Sequence, residues 1–193
     1  MNELYTSITN ESDLLYWLLQ RAWTGEVFPR VNSIPKGNKI TPDLDLLHIN
    51  EYACPPELTG YEVKVLRRND PLGPFYTAIG EALCYLRFGL DWTYIVIGCH
   101  KVPPGDLNRI EGTLKQIWAF LAEHAYLPPC LGLHIYRPTR TYPESIEPKY
   151  KFSASADEEI AHRRRCLLRH QFGWGKDWLR EYERKRSVHQ RTI

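Results

Sequence analysis

The sequence lacks three features that would each place it in a particular class of protein. It has no apolar run near 20 residues, the length that a membrane-spanning helix requires. It has no recognisable signal peptide, and its five cysteines are an odd number without a C-x-x-C pair. We therefore expect a soluble, cytoplasmic protein with reduced thiols and without a membrane partner, a disulfide framework or a structural zinc site.

An excess of one sign of charge is also absent, because the chain has 25 Lys and Arg residues and 23 Asp and Glu residues. The resulting net charge of +2 does not by itself indicate a nucleic-acid partner. Basic residues do concentrate near the C-terminus, where Arg163 and Arg164 begin a run that continues to Arg191. This run is either a phosphate-binding face or the solvated side of an amphipathic helix.

The spacing of apolar residues predicts an α/β core over residues 1–136, and 193 residues suit one ordinary domain. We expect a first helix capped by Asn10 or Ser12 that continues through Trp23 and ends at Gly25. The predicted strands are 26–31, 40–49, 61–66, 92–99 and 131–136, and the further predicted helices are 75–88 and 107–125. This order indicates a mixed central sheet flanked by helices.

Residues 137–193 are expected to form an extension packed on the same domain. The part from 137 to 155 is rich in Pro, Tyr, Ser and Thr, which predicts an extended excursion over the surface. Polar helices are predicted over 157–169 and 174–186. The fold class is therefore an α/β core with a helical C-terminal extension.

Two neighbouring predicted strands carry the residues with the clearest chemical pattern. Thr-Pro-Asp-Leu-Asp ends at Asp45, and Gly-Tyr-Glu-Val-Lys ends at Lys64. Alternate side chains of a strand share a face, so Asp43 is expected to lie beside Asp45, and Glu62 beside Lys64. Carboxylate oxygens from two strands suit Mg²⁺ or Mn²⁺. The lysine can orient an attacking water or stabilise charge on a phosphate.

This Pro-Asp…Glu-x-Lys pattern resembles the PD-(D/E)xK nuclease superfamily. In the RecB-type branch, the Glu-x-Lys strand is followed by a helix with Gln-x-x-x-Tyr, and here that helix has Glu81 and Tyr85. Members tend to carry an acidic residue on the first helix, for which Glu11 is the candidate. The resemblance covers residues 11–99. It implies a restriction-endonuclease-like fold and an Mg²⁺-dependent deoxyribonuclease, with Mn²⁺ as a substitute metal.

The resemblance also implies a role for each residue of the motif. The implied catalytic residues are Asp45, Asp43, Glu62 and Lys64, and the implied metal ligands are Asp45, Glu62, Asp43 and Glu11. The Pro-Asp pattern favours Asp43 as the leading aspartate, whereas the apolar residues after Asp45 favour Asp45, which we prefer. One aspartate could bind the metal directly and the other through a hydrogen bond.

Glu81 departs from the glutamine of the family pattern, and three roles are open to it: indirect metal binding, contact with a water, or acceptance of a hydrogen bond. Arg67 and Arg68 follow the Glu-x-Lys strand. Together with Arg163 and Arg164 they are candidates for contacting nucleic acid, and the alternative for Arg67 and Arg68 is two solvated arginines at a strand end.

The sequence also permits one main alternative to a nuclease. The superfamily includes catalytically inactive members, so the chain could instead bind nucleic acid, or act as a scaffold or regulatory subunit. Adjacent buried carboxylates without a cation are costly, and this cost favours the enzyme. The expected partner is DNA, and cutting of both strands would favour a homodimer.

Overall fold

A computed structural model describes residues 8–31, 43–50, 52–53, 57–66, 72–99, 102–137, 142–152, 158–162 and 164 of the chain. These residues form a six-stranded sheet and three α-helices. The strands are β1 (Glu26–Val31), β2 (Leu44–Asn50), β3 (Glu57–Leu66), β4 (Trp92–Cys99), β5 (Leu131–Tyr136) and β6 (Glu144–Ile146). The helices are α1 (Glu11–Leu19), α2 (Gly73–Tyr85) and α3 (Pro104–Glu123).

The order of the strands across the sheet is the same as their order along the chain. Strands β1, β2 and β3 are antiparallel neighbours, and β3, β4 and β5 are parallel neighbours. The short strand β6 runs antiparallel to β5 at the far edge. The predicted α/β class, with a mixed sheet flanked by helices, is therefore confirmed.

Helix α1 packs on one face of the sheet. Leu14, Leu15 and Trp17 of this helix belong to one buried cluster with Val63 of β3 and Val96 of β4. Asn10 caps the helix, because its side chain accepts a hydrogen bond from the Asp13 backbone N–H at 3.0 Å.

Helices α2 and α3 pack on the opposite face. Phe75 and Ala78 of α2, together with Leu114 of α3, share a buried cluster with Ile95 and Ile97 of β4. Strand β4 is apolar on both sides because helices cover both of its faces, as its nearly continuous apolar sequence predicts. The apolar layers on the two faces hold β3 between them.

Several helix bounds differ from the prediction, among them the end of α1 and the start of α3. Helix α1 ends at Leu19, and Trp23 lies beyond it, where its indole N–H donates to the Leu18 carbonyl at 3.0 Å and its ring contacts Tyr61. Trp23 continues the apolar spacing of the helix because it packs on the same apolar face, although its backbone is not helical. Helix α3 begins at Pro104, before the predicted Leu107, because proline suits the first turn of a helix.

The segment after residue 136 contributes to the sheet, which corrects the predicted surface excursion. Ile146 of β6 pairs with Leu133 of β5, and Glu144 lies 2.8 Å from the ammonium of Lys115 on α3. A three-residue strand among proline and tyrosine residues has too short a pattern to predict. Residues 158–162 and 164 are helical, as expected. The rest of the predicted C-terminal helices lies outside the described residues, among which no helix is long and apolar enough to cross a membrane.

The turn before β1 generates a prediction about stability. Gly25 has a φ of +102°, and a Cβ added there would lie 2.2 Å from the Ile49 carbonyl oxygen. We expect Gly25→Ala to lower the free energy of unfolding by at least about 1 to 2 kcal/mol, the cost of left-handed backbone for a residue with a Cβ. Denaturant titration of the purified variant measures this loss.

Gly112→Ala is the matched control, because nothing lies within 4 Å of a Cβ added at this position in α3. There the same substitution is expected to raise the free energy of unfolding, by up to about 1 kcal/mol. Equal effects of the two substitutions would contradict a specific backbone requirement at Gly25.

Candidate active site

The regular pairing of strands is interrupted at Asp45 of β2. Pairs of β1 and β2 include Pro29 with Leu46 and Val31 with Leu44, so Arg30 and Asp45 stand opposite each other between them. The described pairing of β2 with β3 begins one residue after Asp45. The Asp45 side chain takes over a backbone function here, because its Oδ2 accepts from the Val63 N–H at 2.9 Å.

This interruption changes the expected alternation of side chains in β2. Leu44 and Leu47 belong to the cluster that contains Tyr85 of α2, whereas Leu46 belongs to the cluster on the α1 face. Strict alternation along β2 would place Leu44 and Leu46 on one face of the sheet, but they lie in different clusters. Asp43 precedes the strand, so regular alternation does not relate its side chain to that of Asp45.

Glu62 and Lys64 lie on β3 beneath helix α2. The Glu62 side chain is buried, with 1% of its residue surface exposed. Its Oε1 accepts a hydrogen bond from Lys64 Nζ, and its Oε2 is hydrogen bonded to the Tyr85 hydroxyl. Lys64 Nζ also lies 2.7 Å from Oε2 of Glu81. The two residues of the Glu-x-Lys strand and the two predicted residues of the following helix therefore meet in one group.

Tyr85 connects this group to the chain before β2. Its hydroxyl lies 2.8 Å from the carbonyl oxygen of Asp43. Because a hydroxyl has one proton, it donates to either the Asp43 carbonyl oxygen or the Glu62 carboxyl oxygen at one time. The helix thus fixes the Glu62 carboxyl and the entry to β2 through one side chain.

Glu11 reaches the same place from the opposite face of the sheet. It is the first residue of α1, and the charges of Lys64, Asp45, Arg30 and Glu81 all act on its pKa. Beside it lies a pocket of about 220 Å³ with a mainly polar lining. The residues that line this pocket are Thr9, Asn10, Glu11, Ser12, Arg30 and Val65. We call this the Glu11 pocket.

Arg30 is a site residue that the sequence did not predict. Its guanidinium forms an ion pair with Asp45 Oδ1, and it has a positive φ of +53°, which is uncommon for a residue other than glycine. One signal was present in the sequence: Arg30 is a lone cation within the apolar part of the predicted strand 26–31. Only the register of β1 against β2 shows that Asp45 is opposite.

Negative charge exceeds positive charge in this cluster. Among the described residues, five carboxylates interact electrostatically with one another and with the two cations Arg30 and Lys64. The carboxylates are those of Glu11, Asp43, Asp45, Glu62 and Glu81. If all were ionised, the cluster would carry an excess of three negative charges. Burial raises the pKa of Glu11, Asp43, Asp45 and Glu62, whereas hydrogen bonds outweigh burial at Glu81 and its pKa is lowered.

Glu62 is the most strongly affected carboxyl group. Burial, a hydrogen bond with Glu81 and the charge of Asp45 together raise the pKa of Glu62 to about 9. Burial also acts on Glu81, but its hydrogen bonds with Glu62 and Lys64 lower the pKa of Glu81. Burial opposes the charge on Lys64, yet the neighbouring Glu62 and Glu81 raise the pKa of Lys64. At neutral pH the metal-free cluster therefore has a protonated Glu62 beside an ionised Glu81 and a charged Lys64.

The cluster consists mainly of carboxyl oxygens, the type of donor that Mg²⁺ and Mn²⁺ prefer. Carboxylates with raised pKa values are hard oxygen ligands that release a proton when a metal binds. Oε2 of Glu81 is buried, and the Lys64 ammonium lies 2.7 Å from it. As the side chains stand, no three described His, Cys, Asp or Glu residues converge on one ion position. Lys64 and Arg30 are bound to oxygens of Glu62 and Asp45 instead.

The predicted nucleic-acid-binding arginines are only partly described. Arg67, Arg68 and Arg163 lie outside the described residues. Arg164 donates a hydrogen bond to the Gly89 carbonyl at 2.5 Å and forms a 2.8 Å ion pair with Asp91. In this arrangement Arg164 joins the C-terminal helical residues to the turn before β4, and its contact with nucleic acid stays a prediction.

No protein-family model, no curated protein sequence and no solved structure matches this chain. The function is therefore inferred from the chemistry of the site.

The raised pKa of Glu62 generates a prediction about pH. Between about pH 5 and 9 the folded, metal-free protein keeps a proton on Glu62 that the unfolded chain has released. Stability of the wild type should therefore fall as the pH rises through this window, whereas Glu62→Gln has no such proton to lose. We expect the stability of the variant relative to wild type to grow by up to about 1.4 kcal/mol per pH unit, measured by denaturant unfolding in EDTA.

Glu57→Gln is the matched control, because Glu57 lies on the same strand and its side chain is ion paired with Lys151. A pH trend of the same size in this control would mean that the effect does not come from the buried site. If the difference in stability between Glu62→Gln and wild type did not change with pH, Glu62 would be ionised in the folded protein.

Proposed function

We propose that this chain is a metal-dependent nuclease that hydrolyses DNA phosphodiester bonds at the cluster around Glu62. One observation carries the proposal: a buried carboxylate, Glu62, is hydrogen bonded to a lysine two residues later, while Asp45 of the neighbouring strand adds its charge to the same cluster. Phosphodiester hydrolysis requires acidic metal ligands and a nearby positive group, and this cluster has both.

The connectivity supports a restriction-endonuclease-like fold of the PD-(D/E)xK type. Three antiparallel strands are followed by a helix and a strand parallel to the third. The helix after the Glu-x-Lys strand places Glu81 and Tyr85 on Lys64 and Glu62. These contacts give both helix residues a physical task at the site that the motif defines.

Asp45 and Glu62 would hold the divalent cation, with Glu11 and Asp43 as further carboxylates nearby. When bound, Mg²⁺ or Mn²⁺ lowers the pKa of a bound water and neutralises charge on the phosphate. Val63 fixes Asp45 through its backbone N–H, and Tyr85 fixes Glu62. These two contacts hold one oxygen of each carboxyl group, which limits the movement that metal binding would require of them.

Lys64 would act on the attacking water or on the phosphate. Its ammonium is held between Glu62 and Glu81, and burial leaves 12% of its side chain exposed. The ion pair of Glu81 with the lysine ammonium supports the third role open to it, acceptance of a hydrogen bond, because the carboxylate would hold the lysine in place. An ionised lysine so placed can orient the water and stabilise negative charge as the phosphorus–oxygen bond breaks.

The cluster generates a prediction about metal binding. Mg²⁺ or Mn²⁺ should raise the melting temperature of the wild type, because a cation that binds only the folded state stabilises it. The rise should be larger at pH 9 than at pH 6, since binding must displace the proton of Glu62. Glu62→Gln should abolish most of the rise, and Glu57→Gln should retain it. Thermal denaturation with and without metal, at both pH values, measures the rise in melting temperature of wild type and of the two variants.

Cleavage assays test the enzymatic activity. We expect Mg²⁺- or Mn²⁺-dependent cleavage of at least one form among single-stranded, double-stranded and branched DNA. Lys64→Ala should lower kcat by about 10² to 10³, the usual cost of removing one charge-stabilising group. The products would also report endonuclease or exonuclease action, and gel filtration would report a homodimer.

Lys115→Ala is the matched control, because Lys115 forms ion pairs with Glu111 and Glu144 on α3 and β6, away from the cluster. Equal activity losses in both variants would indicate a general effect of charge on DNA binding. A wild type that binds DNA yet cleaves none of the forms with either metal would favour the inactive nucleic-acid-binding or scaffold subunit.

A further inference from the structure

Arg30 occupies the oxygen of Asp45 that a metal ion would need. Asp45 is 3% exposed, and its Oδ2 is already engaged by the Val63 N–H. The guanidinium of Arg30 is bound to the other oxygen, Oδ1. In the metal-free protein, Arg30 therefore supplies the positive charge that this buried carboxylate requires.

The side chain of Arg30 also reaches the surface. One third of it is exposed (33%), against 5% of the Asp45 side chain, and it lines the Glu11 pocket. A rotation from Asp45 into this pocket would keep the guanidinium beside the site and in contact with solvent. The pocket is polar, so the movement would expose no apolar core.

The backbone at Arg30 is consistent with a functional position. Its φ of +53° lies in the left-handed region, and it interrupts the pairing of β1 with β2 between Pro29 and Val31. Backbone of this kind in residues other than glycine tends to occur at active sites, where the surrounding structure holds it in place. Here the flanking pairs of the β1–β2 ladder hold it.

We propose that Arg30 is an exchangeable countercharge: it neutralises Asp45 in the metal-free protein and turns into the Glu11 pocket to bind a DNA phosphate when a divalent cation binds Asp45. This inference rests on the proposed nuclease function and adds a substrate-binding residue to it. A guanidinium matches two phosphate oxygens with parallel hydrogen bonds, which suits Arg30 to the second position.

Electrostatics couples the two positions of Arg30. A divalent cation and a guanidinium repel each other at one carboxylate, so metal binding favours release of Arg30. Glu11 lies in the same pocket and repels a phosphate as long as its own charge is uncompensated. The metal would compensate that charge, so phosphate binding by Arg30 should require the metal.

Metal affinity in the absence of DNA tests the first half of the proposal. Calorimetric titration of the full chain with Mn²⁺ at pH 8 compares wild type, Arg30→Met and Arg30→Lys. Removal of the competing cation should strengthen Mn²⁺ binding by Arg30→Met by about tenfold or more. Arg30→Lys keeps a cation beside Asp45 and should stay within about threefold of wild type. Unchanged or weaker binding by Arg30→Met would overturn the countercharge role.

DNA affinity tests the second half, in a Lys64→Ala background that suppresses cleavage. The probes are a fluorescently labelled duplex and one of its single strands, each with Mn²⁺ or with EDTA. With Mn²⁺, adding Arg30→Met should weaken binding at least about fivefold and reduce the salt slope by about 0.9, as loss of one phosphate contact does. With EDTA the added substitution should have little effect. An equal loss in both conditions would overturn the metal-dependent movement.

Arg109→Met in the same background is the control for loss of a surface arginine, because Arg109 is exposed and pairs only loosely with Asp106, at 3.5 Å. If Arg30→Met does not fold, Arg30→Lys still tests the movement, since it should lose DNA affinity with Mn²⁺ while keeping wild-type metal affinity. Loss of both DNA affinity and metal affinity in Arg30→Lys, or loss of neither, would contradict the proposal.

Failure of this inference is distinguishable from failure of the proposed function. If Arg30→Met binds Mn²⁺ more tightly than wild type but no DNA is cleaved, the countercharge role stands and the nuclease activity fails. If wild type cleaves DNA while Arg30→Met binds Mn²⁺ unchanged, the activity stands and the countercharge role fails. If neither protein binds Mn²⁺, both proposals fail.

Discussion

Two buried carboxyl groups lie at the meeting point of β2, β3 and α2, and the polar contacts of the neighbouring elements depend on them. Glu62 and Asp45 are 1% and 3% exposed, a position that carboxylates rarely hold unless a cation or a hydrogen bond compensates them. Three side chains compensate these carboxyl groups: Lys64 from the same strand as Glu62, Arg30 from β1, and Tyr85 from α2. The contact of Arg30 joins β1 to β2, and the contact of Tyr85 joins α2 to β3, so the polar cluster ties these elements together.

The cluster is also where the local rules of the fold are broken. A side chain replaces a backbone acceptor at Asp45, the alternation of β2 is lost between Leu44 and Leu46, and Arg30 takes left-handed backbone. Elsewhere in the described sheet the ladders run in regular register. Departures concentrated at one place are expected where selection acts on chemistry more than on stability.

How much could be predicted from the sequence depended on whether the pattern was local. Strand β4 and the end of the helical segment at Gly89 followed from an apolar run and a glycine that accepts a φ of +70°. The shared face of Glu62 and Lys64 followed from the alternation of side chains along a strand, and their grouping with Glu81 and Tyr85 followed from the resemblance to the RecB-type motif. Arg30 could not be assigned in the same way, because its partner is set by the register between strands, which depends on loop geometry. Strand β6 was missed because three residues are too few to show a period.

The equal order of strands along the chain and across the sheet has a consequence for how the protein folds. Each strand pairs with its neighbours in sequence, so no pairing has to wait for a distant segment, and the entropy cost of closing each connection is small. All residues of the cluster lie between Glu11 and Tyr85. During synthesis the whole polar cluster could therefore assemble once β4 and its covering helices emerge, and the later residues would add the edge of the sheet to a site already formed.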